Sequence, residues 1–405
     1  MYDKESLVTL SNGTEISIDH VSAVIESQKY TLDTGETFVP TGSYPSITEL
    51  RYQQNPENNG KLIATFSMGF QTGSAAGSGT VAMSENQGKT WKIIARPKEV
   101  LYPKLSAQGS MAHIYELPAQ VGEMPAGTLL YSYNSVDYKT EGKGLEGQSI
   151  LAVWRSFDAG YTWEEYVIID EAYGISEGIW EPFMIYSEED GYLYCFYSDD
   201  SDPDHDQKLG YKRSKDGVHW EGEGGKIGTG TGKDVEPVDV VAIDDPKWRP
   251  GMAVITKMGN GEYFLVYEQF GDWSGCPIYY KTTKNLADWG DASDPGTRIT
   301  SKMVSAPACA WVDVGGECGT LFVTSKISSN AGYIYVSTDY GKTWETIEDP
   351  LESDPIKSSG DRVGYSAGLW VGADGRTLYY INSDNSKSVP TAQVIYCVKM
   401  TLYAP

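Results

Sequence analysis

Positive charge is scarce in this chain. It sets 32 Lys and Arg against 56 Asp and Glu, for a formal charge of −24, and the acidic residues are spread along the sequence instead of gathered in a tail. Such a field repels nucleic acid, anionic membranes and polyanionic glycans, which leaves a neutral ligand as the favoured partner. Histidine is scarcer still. The four, at positions 20, 113, 205 and 219, are dispersed and belong to no Cys/Asp set at ligand spacing, so no metal or organic cofactor is expected. His113 lies near the axis-facing part of the second repeat, where a structural or solvated role is expected. The five cysteines include no CxxC pair. Cys195 and Cys397 sit in apolar strand-like segments as small core residues. Cys309 and Cys318 flank an expected hairpin and could be bridged, which spacing alone does not establish. No apolar run is long enough to span a bilayer, and no secretory leader is visible.

What is present is repetition. Ser84-Glu-Asn-Gln-Gly-Lys-Thr-Trp91, Ser156-Phe-Asp-Ala-Gly-Tyr-Thr-Trp163, Ser214-Lys-Asp-Gly-Val-His-Trp220 and Ser337-Thr-Asp-Tyr-Gly-Lys-Thr-Trp344 are four copies of one pattern. A degraded fifth ends at Trp289. The Ser and Asp side chains suit a turn, Gly closes a tight hairpin, and Trp supplies a large apolar surface on the outgoing strand. Successive tryptophans lie 72, 57, 69 and 55 residues apart, room each time for a four-stranded antiparallel sheet and a loop. That is the repeat of a β-propeller blade. The 29 Tyr, 11 Trp and 44 Gly, with alternating runs such as Gly191–Tyr197 and Gly261–Tyr267, favour strands over helices.

This pattern is the Asp-box, and the chain resembles the sialidase-like six-bladed propellers. The expectation is an all-β, six-bladed β-propeller forming a single domain over residues 1–405. Blades begin near 42, 105, 175, 235, 300 and 360, and an N-terminal strand within 5–25 closes the last blade. The boxes staple blades and carry no catalysis. Long loops are expected at 134–149 and 221–248; the Gly-rich start of the second lacks the context of a phosphate loop and reads as a flexible surface insertion.

Two segments stand apart from the scaffold. Ile179-Trp-Glu-Pro-Phe-Met-Ile-Tyr186, with Tyr197-Ser-Asp-Asp200 after it, and Trp248-Arg-Pro-Gly-Met-Ala-Val254, with Gly261-Glu-Tyr-Phe-Leu-Val-Tyr-Glu268 after it, each place a Glu at an apolar strand boundary, where core packing gains nothing from charge. Together with Tyr115-Glu-Leu-Pro118, Pro125-Ala-Gly-Thr-Leu-Leu130 and Asn134-Ser135, in that order, they resemble glycoside hydrolase family 93, the exo-arabinanases. The resemblance implies Glu181 as general acid/base and Glu268 as nucleophile of a retaining mechanism, about 5 to 5.5 Å apart. Trp180 and Phe183 should desolvate Glu181 and keep its proton, while Arg249 should hold Glu268 ionised. Trp180, Arg249, Asp199, Asn134 and Tyr365 are candidates for holding or stacking on sugar. Each has a plainer reading, such as a turn, a strand end, inter-blade packing or loop support.

By this resemblance the partner is a neutral plant-type polysaccharide or oligosaccharide, α-1,5-linked L-arabinan, cut from its non-reducing end to release arabinobiose. The protein is expected to be a monomer acting outside the cell, without nucleic acid, membrane or cofactor. A sialidase using Tyr365 with Glu268 is disfavoured. Tyr44-Pro-Ser-Ile-Thr48 has Ser46 where an Arg is expected, and no Arg lies between Arg298 and Arg362, so the arginine set that binds a sialic carboxylate is incomplete. Ser46 also departs from the arabinanase pattern and bears on which glycan fits. A carbohydrate-binding propeller without catalysis is the alternative from another class.

Overall fold

The computed structural model describes residues 6–26, 28–39, 42–67, 79–98, 107–138, 145–173, 178–228, 235–270, 276–299, 305–325, 333–351, 363–384 and 394–405. Six antiparallel sheets follow one another in sequence, each running from an inner strand on the axis to an outer one. The inner strands are Ser43–Glu49, Ala107–Glu116, Ile179–Tyr186, Arg249–Lys257, Cys309–Val312 and Val363–Val371. The architecture is all-β and a six-bladed propeller, as the box spacing predicts. In the sixth blade Val394–Tyr403 pairs with Glu15–Ile25, and Ser6–Thr9 adds an outermost strand. Among the described residues no helix is long and apolar enough to cross a membrane, and no group of three His, Cys, Asp or Glu could hold a metal.

The boxes hold the blades as hairpin staples. In each intact copy the Ser Oγ accepts the Gly N–H, at 2.9 Å for Gly88, 3.0 Å for Gly160 and 2.8 Å for Gly217 and Gly341. Gln87, Ala159 and Tyr340 precede three of those glycines and share their positive φ, near 60°, which gives the paired left-handed residues of a type I′ turn. The indole N–H of Trp91, Trp163 and Trp220 donates to the carbonyl three residues before it. Trp289 of the degraded box does the same to Leu286, so the fifth copy keeps its geometry after losing its sequence. The rings then fill the spaces between blades: Trp163 packs on the core of Leu50, Ile63, Tyr131 and Trp154.

Three expectations change. Residues 134–149 form mostly strand, because Leu129–Tyr138 and Leu145–Ser156 extend toward one another and pair; only 139–144 lie outside the described residues. The fourth blade starts at Arg249, not 235, since Val238–Val241 is the outer strand of blade three, paired with Leu209–Tyr211. Residues 221–228 and 235–241 are therefore part of that blade, bridged at Glu221 to Arg213 and Ile227; residues 229–234 lie outside the described residues. Finally, all five cysteines are free. Cys309 lies opposite Val323 at the far end of its hairpin from Cys318, and its thiol points to the Val254 carbonyl, 3.4 Å away.

Candidate active site

A propeller's inner strand is a sheet edge, so its axis-side N–H groups need partners from elsewhere. The neighbouring blade supplies them through side chains. Ser46 Oγ accepts from Ile114 N–H at 3.2 Å, His113 Nδ1 from Met184 at 3.0 Å, Tyr115 Oη from Tyr186 at 2.9 Å and Thr256 Oγ1 from Trp311 at 3.3 Å. The two glutamates singled out by sequence belong to this ladder. Glu181 Oε2 accepts from Met252 N–H at 2.9 Å, and Glu268 Oε2 from Ala306 N–H at 2.6 Å.

Every blade also carries one non-glycine residue with positive φ on or just before its inner strand: Tyr44, Met111, Glu181, Met252, Ala306 and Ser366. Register shifts accompany the five inside the sheets, at Ser43/Ser46, Ser132/Asn134 opposite Met111, Trp180/Phe183, Gly251/Val254 and Val363/Ala367. Such bulges re-aim side chains and cost backbone strain, which persists where the surroundings over-determine it. Each is followed by Pro or Ala, namely Pro45, Ala112, Pro182, Ala253, Pro307 and Ala367. These small residues line a cavity of about 560 Å³ along the axis, with Glu181 on its wall.

Glu181 touches that cavity and is half-buried by exposed area, yet protein walls enclose it. Burial first, and the nearby Glu268 carboxylate second, push its carboxyl up from the ordinary 4.5 to about 8, against the hydrogen bonds from Ser198 and Met252. Ser198 Oγ donates at 2.8 Å to the same Oε2 that Met252 uses, which leaves Oε1 to carry a proton. Glu268 is 5% exposed and stands opposite Gly251 in register. A Cβ on Gly251 would come to 2.8 Å from Gln207 Nε2 and to an ordinary contact of 3.5 Å from Glu181 Oε2, so the missing side chain leaves room for the Gln207 amide beside Glu181. A carboxylic acid kept protonated near a second carboxylate is an arrangement able to protonate a leaving oxygen on one side and attack or stabilise on the other.

The remaining candidates separate. Arg249 does not face Glu268: its Nη2 donates to Asp200 Oδ2 and Gln207 Oε1, both at 3.0 Å, and its Nη1 to Asp206 Oδ2 at 3.2 Å. No ion pair joins it to Glu268 among the described residues, because Phe270, not Glu268, is its partner across the strands. Trp180 is half-buried beside Asp200, outside the cavity wall. Asp199 is buried and caps a turn, accepting the Ser201 N–H at 2.9 Å and O–H at 2.6 Å. Asn134 is buried inside the second strand of blade two, opposite Leu151. Tyr365 lies in the bulged segment of the sixth inner strand; its side chain falls outside the described residues. Ser198, Gly251, Asp200, Gln207 and the Met252 amide were not singled out by sequence, since each acts through a neighbour brought near by folding.

The box at residues 335–346 matches the family model of the BNR/Asp-box repeat. Among solved structures, the α-L-arabinanase of Penicillium chrysogenum complexed with arabinobiose superposes with a TM-score of 0.69 at 24% identity, over 93% of this chain and 98% of that one. The glycoside hydrolase family 93 α-L-arabinofuranosidase of Fusarium graminearum, also with arabinobiose, gives 0.68 at 23% identity over 88% and 92%. A Trypanosoma rangeli sialidase with the inhibitor DANA gives 0.53 at 11% identity over 94% of this chain and 59% of that one. No curated protein sequence matches the chain. At these identities the likeness carries the fold, a sialidase-like propeller.

Proposed function

We propose that this propeller is a retaining, exo-acting glycoside hydrolase of the family 93 kind, cleaving α-1,5-linked L-arabinan from its non-reducing end and releasing arabinobiose. The observation that carries the reading is Glu181, enclosed on the cavity wall, with its carboxyl pushed up to about 8 by burial and by the nearby Glu268. The arabinobiose complexes of structures sharing the fold supply the substrate class. Glu181 gives its proton to the glycosidic oxygen as that bond breaks, and Glu268 attacks the anomeric carbon to form a glycosyl-enzyme. Glu181, now ionised, takes a proton from water, whose oxygen displaces Glu268 and restores both groups. Neither step calls for a metal or organic cofactor. The charge of −24 favours a neutral glycan over an anionic one. Ser46 is buried and tied to Ile114, so it offers no cation to a carboxylated sugar. The enzyme acts as a monomer outside the cell, where such glycans occur.

Debranched linear arabinan, followed by chromatography of its soluble products, tests the reading. A single disaccharide from the earliest time point is expected. A ladder of oligosaccharides would overturn exo action. No release of any product, alongside retained binding of arabinan, would make the protein a binding propeller.

A further inference from the structure

The axial cavity runs beyond Glu181. At a strand rise of roughly 3.3 Å per residue, its far mouth at Tyr186, Lys257 and Trp311 lies about 16 Å below the ring of left-handed residues that carries Glu181. Most charges near that mouth have partners: Arg51 pairs with Glu49 at 3.2 Å, Lys257 with Glu189, and Glu116 accepts the Arg51 N–H and the Gln53 amide, both at 2.6 Å, while Glu188 stands exposed at the rim. The walls between are mostly apolar, and their polar groups are few: the hydroxyls of Ser46, Tyr115 and Thr256, each accepting an N–H of a neighbouring blade, and the imidazole of His113.

Among these groups His113 offers a ring N–H, two residues below its blade's left-handed Met111 and on the cavity wall. Its ring stacks on Phe183, with centroids 4.3 Å apart, and so abuts the strand of Glu181. Nδ1 accepts the Met184 N–H at 3.0 Å, which fixes the tautomer: the ring proton sits on Nε2. Burial holds the imidazole far below its ordinary range, down to about 3, so it is neutral around neutral pH. Nε2 has no partner among the described residues. His113 is half-buried on the wall of a roomy cavity, so its ring N–H is open to whatever occupies that space, and a neutral donor among apolar walls matches a hydroxyl or ether oxygen better than an anion.

We infer that His113 is the hydrogen-bond donor of a saccharide-binding position inside the axial cavity, giving its Nε2–H to an oxygen of a neutral sugar. The inference rests on the glycosidase reading for the choice of sugar only. It makes the volume below Glu181 part of the binding site and gives it polarity without charge.

Two variants separate this role from the structural one. His113→Asn keeps an acceptor at the place of Nδ1 and removes the Nε2 donor; His113→Gln keeps a donor near Nε2 and removes the acceptor. Calorimetric binding of arabinobiose, arabinotriose and a panel of neutral disaccharides is measured for each with thermal unfolding. His113→Asn is expected to unfold near the wild-type temperature while Kd rises roughly three- to ten-fold, the loss of one hydrogen bond. His113→Gln is expected to unfold earlier with Kd within about twofold of wild type. Unchanged affinity in His113→Asn, or the loss appearing in His113→Gln instead, would overturn the proposal while leaving the arabinan reading intact. Binding of a different panel sugar with the same pattern would support His113 and overturn arabinan. No binding of any neutral sugar by the wild-type protein would overturn both.

Discussion

Replacing Glu181 by Gln should disable turnover and stabilise the protein at once. The carboxyl has a folded pKa of about 8 against an ordinary 4.5. Its folded value lies above its unfolded value, so its contribution to stability is fully present below pH 4.5 and is lost as pH rises toward 8. From those two values the loss is about 1 kcal/mol at pH 5 and about 3 kcal/mol at pH 7, because the unfolded chain ionises while the folded chain cannot. Gln is isosteric with the protonated acid, can accept from both Ser198 and Met252 through its oxygen, and does not titrate. Urea unfolding of both proteins at pH 5 and pH 7 measures the difference. The variant's advantage should grow by about 2 kcal/mol across that interval. Asp170, pushed to about 6 by burial, titrates in the same window but is common to both proteins and cancels in the comparison. Turnover should fall by about 10² to 10⁴, the usual worth of a general acid. An advantage that stays constant from pH 5 to 7 would show that Glu181 ionises like an exposed carboxylate, and the acid role would fall with it.

Other perturbations test the surroundings. Ser198→Ala removes a hydrogen bond that favours the ionised form of Glu181, so the alkaline limb of the kcat/KM profile should move upward from about 8; a downward shift would contradict the assignment. Gly251→Ala puts a Cβ 2.8 Å from Gln207 Nε2 and 3.5 Å from Glu181 Oε2, and kcat should drop at least about tenfold with a melting temperature within a few degrees of wild type. Lys212→Met strands Asp170, whose Oδ2 lies 2.8 Å from the buried ammonium. Denaturation at pH 8 should show a loss of about 3 kcal/mol or more. That loss should shrink at pH 5, where Asp170 takes up a proton.

The scaffold was legible because its signal is local. A box needs only Ser, Asp, Gly and Trp within eight residues to close a hairpin and aim an indole, so four copies at blade spacing give an all-β propeller. The degraded box shows the limit of that legibility: Trp289 reproduces the staple through Leu286, although little of its sequence remains. Cys309 and Cys318 show it again. Nine residues of separation suited a bridge, and the strand register alone places one at the open end of the hairpin and the other in its turn.

The sequence by itself determined the repeat, the sheet content, the acidic surface and the two glutamates at strand boundaries. Folding decided what stands around them. Arg249 was expected beside Glu268 because the two share a blade, but antiparallel pairing sets it opposite Phe270 and directs it to Asp200 and Asp206. Glu181 was expected to be desolvated by Trp180 and Phe183, its neighbours in the chain. Burial is the largest cause of its raised pKa, as expected, and folding adds a carboxylate 87 residues away. His113, Ser198 and Gly251 matter because six edge strands meet around one line and must satisfy each other's amides across blades. Contacts of that kind depend on distances through space between residues far apart in the chain, and no short window of sequence contains them.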